Sequence, residues 1–461
     1  MHKIIGRKKE LKELNDRYNS KKKELCILYG RRRIGKSFLL TNFVEDKEKI
    51  IFQAKQDSLY GNLKSFSYEI NKEFNINTNY VYSSWQEALD VVSQHYGNKR
   101  FMLVIDEYPY IVSQDSSFPS VLQEFYDRSK DNLFLILSGS DISMLRNEII
   151  NHASPLYKRR TFEIELKKLP YKEALEFVKG VKDNDKAHYL SLFSTYPYYL
   201  EAIDYSSSFE DNIKKLLFNQ YGSFFSLPDQ LLSNSTYTQD VYNSILEAIS
   251  VGKRSNQEIA LYIKESEAKV SKYLTTLLNS ELVEKRNMFN GNKKSIYYEI
   301  SDQLLKFWFI FIYPNIEKIK INSELVYQTQ KEKIGLFLNH GFEHICGLYI
   351  DELNSSGYFK EVFDHPKIYK VEKSKLNRSI EIDGLSVQNN KLLVLDCKDK
   401  NEKYSLSMFE HLKKNISVFP NKYIPIYYIF SRGGFSDSVL SLKDKNIHLV
   451  TYKDLLNCIF R

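Results

Sequence analysis

The run Gly30-Arg31-Arg32-Arg33-Ile34-Gly35-Lys36-Ser37 sets four residues between two glycines and follows them with a lysine and a hydroxyl. In this spacing backbone N–H groups close around phosphate oxygens, the lysine reaches the β and γ phosphates, and the hydroxyl holds Mg²⁺. Lys36 and Ser37 fit those two roles, with Arg31, Arg32, Arg33, Ile34 and Phe38 around them. The same chemistry needs a carboxylate for the metal and another to polarise water. FMLVIDEY supplies both where an apolar run ends, Asp106 for Mg²⁺ and Glu107 for the attacking water. LFLILSGSD ends a further run on Ser138 and Ser140. Either hydroxyl can sense the γ phosphate or position water, and small polar residues also end strands for turn reasons alone. Arg159 and Arg160 can neutralise transition-state charge, in cis or across a subunit boundary, or can belong to a solvated basic loop.

A second constellation lies towards the C-terminus. EIDGL carries Asp383, and LLVLDCKDK carries Asp396 and Lys398 two apart. On a strand, i and i+2 share a face, so Asp396 and Lys398 can share a site that Asp383 completes from a neighbouring strand. Two carboxylates can bind Mg²⁺ while the lysine orients or activates water for attack on a phosphodiester. D-x-K at a strand end is also frequent without any such site. His340 and His344 flank Glu343 without forming H-E-x-x-H, so they are expected to be surface or packing histidines. Neither serine nor cysteine sits in a nucleophile-elbow sequence.

The elements that must carry these residues follow from periodicity. ELCILYG, KIIFQAK, RFMLVIDEY and NLFLILSGS alternate with helical patterns, which predicts a parallel sheet covered by helices in an α/β core over 1–165. From Leu166 the pattern turns helical and closes in the Ser/Asn-rich LLSNSTYTQD, a helical lid over 166–235. Three helical patterns then lead to LVEKRNMF and KSIYYEI, joined at Asn290-Gly291, which is winged-helix order; with the aromatic helix DQLLKFWFIFIYPN this makes 236–313. Ser255-Asn256-Gln257-Glu258 is a capping box opening one helix of that segment. Lys264, Lys269 and Lys272 lie where a second helix meets DNA, and Lys285, Arg286, Lys293 and Lys294 decorate the hairpin. With no Arg or Asn cluster for base reading, contact with DNA is expected to be phosphate-dominated. A winged helix serving protein contact is the alternative. The remainder, 314–461, has helix, strand, strand and helix patterns and a late strand KYIPIYYIF.

A chain of 461 residues exceeds what one core usually supports, and 43% hydrophobic residues read as globular throughout. The net charge of +8 points to an anionic partner or to a solvated Lys-rich surface. Four scattered cysteines, Cys26, Cys346, Cys397 and Cys458, lack metal spacing and suit a reducing compartment. MHKIIGRKKELKEL lacks an apolar signal core and no run reaches membrane-spanning length, so a cytoplasmic protein without a membrane partner is expected.

IIGRKKEL, LYGRRRIGKS, VIDEYPYI, LILSGSDISML, PLYKRRTFEIEL, YPYYLEAI and LLKFWFIFIYPN, in this order, resemble the archaeal-type ATPase family, which belongs with the AAA+-like signal-transduction NTPases. The resemblance implies a P-loop core with a helical lid, ATP and Mg²⁺ as ligands, a winged helix and a C-terminal restriction-endonuclease-like domain. It places Gly6 and Arg7 beside the nucleotide and Pro197 of Thr195-Tyr196-Pro197 at a lid motif, where this chain lacks the usual glycine. Lys158 likewise stands where relatives often have glycine before the arginine pair. Asp383, Asp396 and Lys398 correspond to a D…(D/E)-x-K signature, and Glu343 to the glutamate of a preceding helix, a further metal ligand. The expected activity is an ATPase that switches between domain arrangements, with nucleotide-dependent homo-oligomers. It either acts on DNA, cleaving it with metal, or binds protein or DNA without cleaving.

Overall fold

The computed structural model describes residues 4–140, 142, 144–145, 154–232, 236–287, 296–371 and 379–460. The chain divides into two compact units, Met1–Lys168 with Asn279–Glu281, and Leu169–Leu278 with Leu282–Arg461.

The first unit is built on a sheet of β1 (Glu24–Tyr29), β2 (Lys49–Gln53), β3 (Phe101–Asp106), β4 (Leu133–Gly139) and β5 (Phe162–Glu165). All are parallel, in the order β2-β3-β4-β1-β5. β1, β3 and β4 are buried along their whole length, which an unbroken apolar run permits only when helices cover both faces. The helices Leu59–Glu73 and Trp85–Tyr96 begin where Ser58 and Ser84 accept backbone N–H groups, and they bury Phe66 and Trp85 against Phe52. β5 was not foreseen from the sequence. The chain leaves β1 for the far edge of the sheet, and ligands of such sheets bind at the carboxyl ends of the strands where the order reverses.

In the second unit five helices, from Tyr171–Ala174 to Leu227–Leu231, precede three more, Thr236–Ser250, Asn256–Ile263 and Glu267–Asn279. An antiparallel pair follows, β6 (Val283–Asn287) and β7 (Ile296–Ile300). Asn290-Gly291, Lys293 and Lys294 lie outside the described residues. The capping box at Ser255 and Glu258 forms as its sequence predicts. The aromatic helix Gln303–Phe307 widens into a π turn over Trp308–Ile312, tightens to a 3₁₀ turn at Tyr313–Asn315, and continues as Ile316–Ser355 with a break at Asn322.

A mixed sheet closes the unit: β8 (Lys367–Val371), β9 (Ile380–Gln388), β10 (Lys391–Lys398), β11 (Ile424–Ser431) and β12 (Ile447–Thr451), in the order β12-β11-β10-β9-β8. β9 runs antiparallel to its neighbours β8 and β10, and β10, β11 and β12 run parallel. Leu393, Leu395 and Cys397 pack in the core that holds Ile345 and Cys346 of the long helix. Leu392 and Val394 face the opposite way, into a core with Phe409, Leu412 and Ile416 of helix Leu406–Ile416. The first of these cores continues through the helices from Leu169 to Ile312, so the three segments expected after 165 share one unit. The four cysteines are free and buried. Among the described residues no helix is long and apolar enough to cross a membrane.

Candidate functional site

β1 delivers the Gly30–Ser37 loop and helix Lys36–Phe43 receives it, so the loop lies over a helix N-terminus whose free N–H groups favour an anion. Gly30 has no room for a side chain. The Leu166 backbone passes it, bonded to the Tyr29 carbonyl at 2.7 Å, and a Cβ on Gly30 would stand 2.4 Å from the Leu166 carbonyl oxygen. Gly35 (φ 94°) turns the loop into the helix. Lys36 is buried, and its Nζ donates to the Gly30 and Arg31 carbonyls at 2.8 and 3.3 Å. Burial lowers its proton affinity, Glu107 and Asp106 oppose that, and the Arg32 charge adds to it. Phe38, half exposed, sits in the first turn of the same helix.

Ser37 Oγ donates to Asp106 Oδ2 at 2.8 Å, and Ser138 Oγ donates to Asp106 Oδ1, which also accepts the Glu107 N–H at 3.1 Å. Sheet order explains this gathering. β4 lies between β1 and β3, and Ser138, opposite Leu28 in the ladder, meets the carboxylate at the end of β3. Glu107 follows in the left-handed region (φ 55°), and its Oε2 accepts the Ser140 N–H at 3.1 Å and hydroxyl at 3.0 Å. Ser140 thus orients the carboxylate expected to polarise water, a role its sequence position did not disclose. Arg7, preceded by Gly6 (φ 79°), reaches the loop as well, for its Nη2 donates to the Ile34 carbonyl at 2.9 Å and its Nη1 pairs with Glu10 at 3.1 Å. The hydroxyl of Ser37 beside the Asp106 carboxylate is an oxygen donor set that fits Mg²⁺.

Arg159 and Arg160 stand elsewhere. They precede β5, whose Phe162 lies beside Cys26 near the start of β1, whereas the loop follows the end of β1. Both are occupied, Arg159 in a forked pair with Asp127 (2.7 and 2.9 Å) and Arg160 with Glu163 (2.5 Å). In cis they do not reach the phosphate loop. Pro197 opens the helix Pro197–Glu201 in the second unit.

The second constellation assembles in part. Lys398 Nζ lies 2.5 Å from Asp396 Oδ1 and 3.7 Å from Asp383 Oδ2. Asp383 Oδ2 also accepts the Cys397 N–H at 2.6 Å, and Asp396 Oδ2 accepts the hydroxyl of fully buried Tyr404 at 2.5 Å. Burial opposes the charge on Lys398, but Asp396 and Asp383 outweigh it and hold the proton more firmly than usual. Burial pushes the Asp383 carboxyl up to about 7, against the pull of Lys398. Burial and the neighbouring Glu381 raise Glu343 as well. The expected metal trio does not form, and among the described residues no three His, Cys, Asp or Glu side chains gather to hold a metal. The reason lies in the pleat. Asp396 shares its face with Leu392, Val394 and Tyr404, whereas the helix of Glu343 covers the face of Leu393, Leu395 and Cys397. His344 Nε2 meets Ser194 Oγ at 2.9 Å, and His340 is exposed.

A parallel sheet delivering this loop to a helix N-terminus, with a hydroxyl–carboxylate pair beside it, defines a P-loop NTPase core. Residues 4–203 match the family described as an ATPase domain predominantly from Archaea. Residues 308–413 match a family described as archaeal and bacterial proteins of unknown function. An uncharacterised protein of Methanocaldococcus jannaschii is 28% identical over 410 residues, 87% of this chain and 88% of that one. An uncharacterised ATP-binding protein of the same organism is 48% identical over 45 residues, 10% of this chain and 76% of its own length. Among solved structures, the Aeropyrum pernix ORC2 protein is similar at 14% identity and a TM-score of 0.46, over 70% of this chain and 97% of its own. Cdc6p of Pyrobaculum aerophilum is similar at 13% identity and a TM-score of 0.34, over 69% and 96%.

Proposed function

We propose that the chain binds ATP with Mg²⁺ in the Gly30–Ser37 loop and hydrolyses it. The observation that carries this reading is the convergence of Lys36, Ser37, Asp106 and Ser138 from three adjacent strand ends. Lys36 would exchange its two carbonyls for phosphate oxygens, Ser37 and Asp106 would hold Mg²⁺, and Glu107, fixed by Ser140, would take the proton of the attacking water. Gly6, Arg7 and Phe38 would border the nucleotide and Pro197 would serve the lid. Phosphate release measured with Mg²⁺ and ATP tests it: turnover abolished by Lys36→Ala supports the reading, and wild-type protein that neither binds nor turns over ATP refutes it.

In the second unit the three helices and the β6–β7 pair read as a winged helix that contacts DNA. Its helix Glu267–Asn279 exposes Ser271, Lys272 and Thr275, and Lys264 and Lys285 are exposed nearby, while Lys269 is held by Glu265 at 2.6 Å. Binding that weakens steeply with salt, with a shallower slope in Lys272→Ala, is the expected signature. The mixed sheet reads as a restriction-endonuclease-like domain. With Lys398, Tyr404 and the Cys397 N–H on the oxygens of Asp396 and Asp383, a binding role without cleavage is the better-supported reading. Plasmid incubated with Mg²⁺ or Mn²⁺, with and without ATP, decides between them: cleavage lost in Asp383→Ala makes the domain a nuclease. ATP-dependent change of mass in solution tests the homo-oligomer.

A further inference from the structure

Phosphoryl transfer needs positive charge on the transferring group beyond the lysine and the metal, and an arginine usually supplies it. Arg159 and Arg160 do not reach the loop in cis. Arg32 is inside it, two residues after Gly30. Its Nη2 donates to Tyr110 Oη at 2.7 Å, and its charge is close enough to Lys36 to lower the proton affinity of that amine. Arg7, Arg159 and Arg160 each have a carboxylate partner. Among the described residues Arg32 has none, and its partner is a neutral phenol. A half-buried guanidinium without a counter-charge, beside a buried lysine, is arranged for an incoming anion. Tyr110 is tied to the other half of the site, for its N–H donates to the Glu107 carbonyl at 3.0 Å and its helix, Pro109–Gln114, starts two residues after Glu107.

We propose that Arg32 is the catalytic arginine of this site, delivered in cis by the phosphate loop, and that Tyr110 is its positioning residue, registering the guanidinium against Glu107. The proposal rests on the ATPase reading above. In the step it serves, the water oxygen bonds to the γ phosphorus as the bond from that phosphorus to the β–γ bridging oxygen breaks. The electron pair leaves with ADP, the water proton passes to Glu107, and Arg32 neutralises charge on the γ oxygens.

The test pairs turnover with binding of ADP and of ADP with aluminium fluoride, a mimic of the transferring group, in full-length protein. Arg32→Ala is expected to lower kcat by about 10³-fold with KM for ATP little changed, and to abolish the preference for the mimic while ADP affinity stays. Arg32→Lys restores part of both. Tyr110→Phe, which keeps the ring, lowers kcat by about 10-fold and weakens the mimic without weakening ADP. Arg32→Ala turnover within about 2-fold of wild type, or equal losses of ADP and mimic affinity, overturns the proposal and leaves the ATPase reading standing. Turnover per molecule that rises with protein concentration and ignores Arg32→Ala overturns it in favour of an arginine from a second copy. Wild-type protein that neither hydrolyses ATP nor prefers the mimic overturns both readings.

Discussion

The Ser37 hydroxyl and the Asp106 carboxylate, 69 residues apart in sequence, meet at 2.8 Å. One comes from the helix after β1 and the other from the end of β3, so the pair exists only because β4 spaces those strands correctly. Asp106→Asn keeps the shape and removes the charge that a divalent cation needs. Mg²⁺ affinity of the nucleotide complex is expected to fall by roughly 10–100-fold, with Mg²⁺-free nucleotide binding unchanged; a Mg²⁺ titration of fluorescent-nucleotide binding reads both.

Glu107 is held in an unfavourable backbone region and steered by Ser140. Glu107→Gln should therefore bind ATP normally and lose about 10²–10⁴-fold in turnover. Single-turnover hydrolysis checks it, and normal rates in the variant would remove Glu107 from the chemistry.

Gly30→Ala tests the loop as packing rather than as chemistry. A Cβ 2.4 Å from the Leu166 carbonyl oxygen must displace backbone, with an expected cost of about 1–3 kcal/mol. Denaturant unfolding of the first unit reads it, with Trp85 as reporter in a Trp308→Phe background.

Asp383 makes the second unit pH-dependent. Its carboxyl, raised by burial to about 7 from 3.8, binds its proton more tightly in the folded state than in the unfolded. Its contribution to stability is therefore complete below about pH 4 and is lost as pH rises through about 7. Asp383→Asn should flatten that decline, so the variant gains on wild type between about pH 4 and pH 7. Unfolding followed at Trp308 in a Trp85→Phe background measures it, and an unchanged slope would place the proton elsewhere.

The strands that sequence patterning missed, β5, β8 and β12, are all sheet edges. An edge strand is covered on fewer sides, so its apolar signal thins. β8 buries one residue of five fully, against all six of β1 or β3. The phosphate loop was legible because its chemistry is local: glycines, lysine and hydroxyl must be consecutive to wrap one phosphate. Asp106 and Glu107 were legible because they end an apolar run. The Ser140–Glu107 and Arg32–Tyr110 bonds carry no local pattern, since serine, tyrosine and arginine stand in many places for many reasons.

By itself the sequence determined the α/β core, the nucleotide loop and the same-face pairing of Asp396 with Lys398, because each depends on neighbours along the chain. The tertiary structure decided the rest. Strand order set Ser138 on Asp106, strand direction put Arg159 and Arg160 away from the loop, and the pleat of β10 turned Asp396 from the helix of Glu343 towards Tyr404. These are relations across strands, and spacing in sequence fixes neither which strands become neighbours nor which helix covers which face.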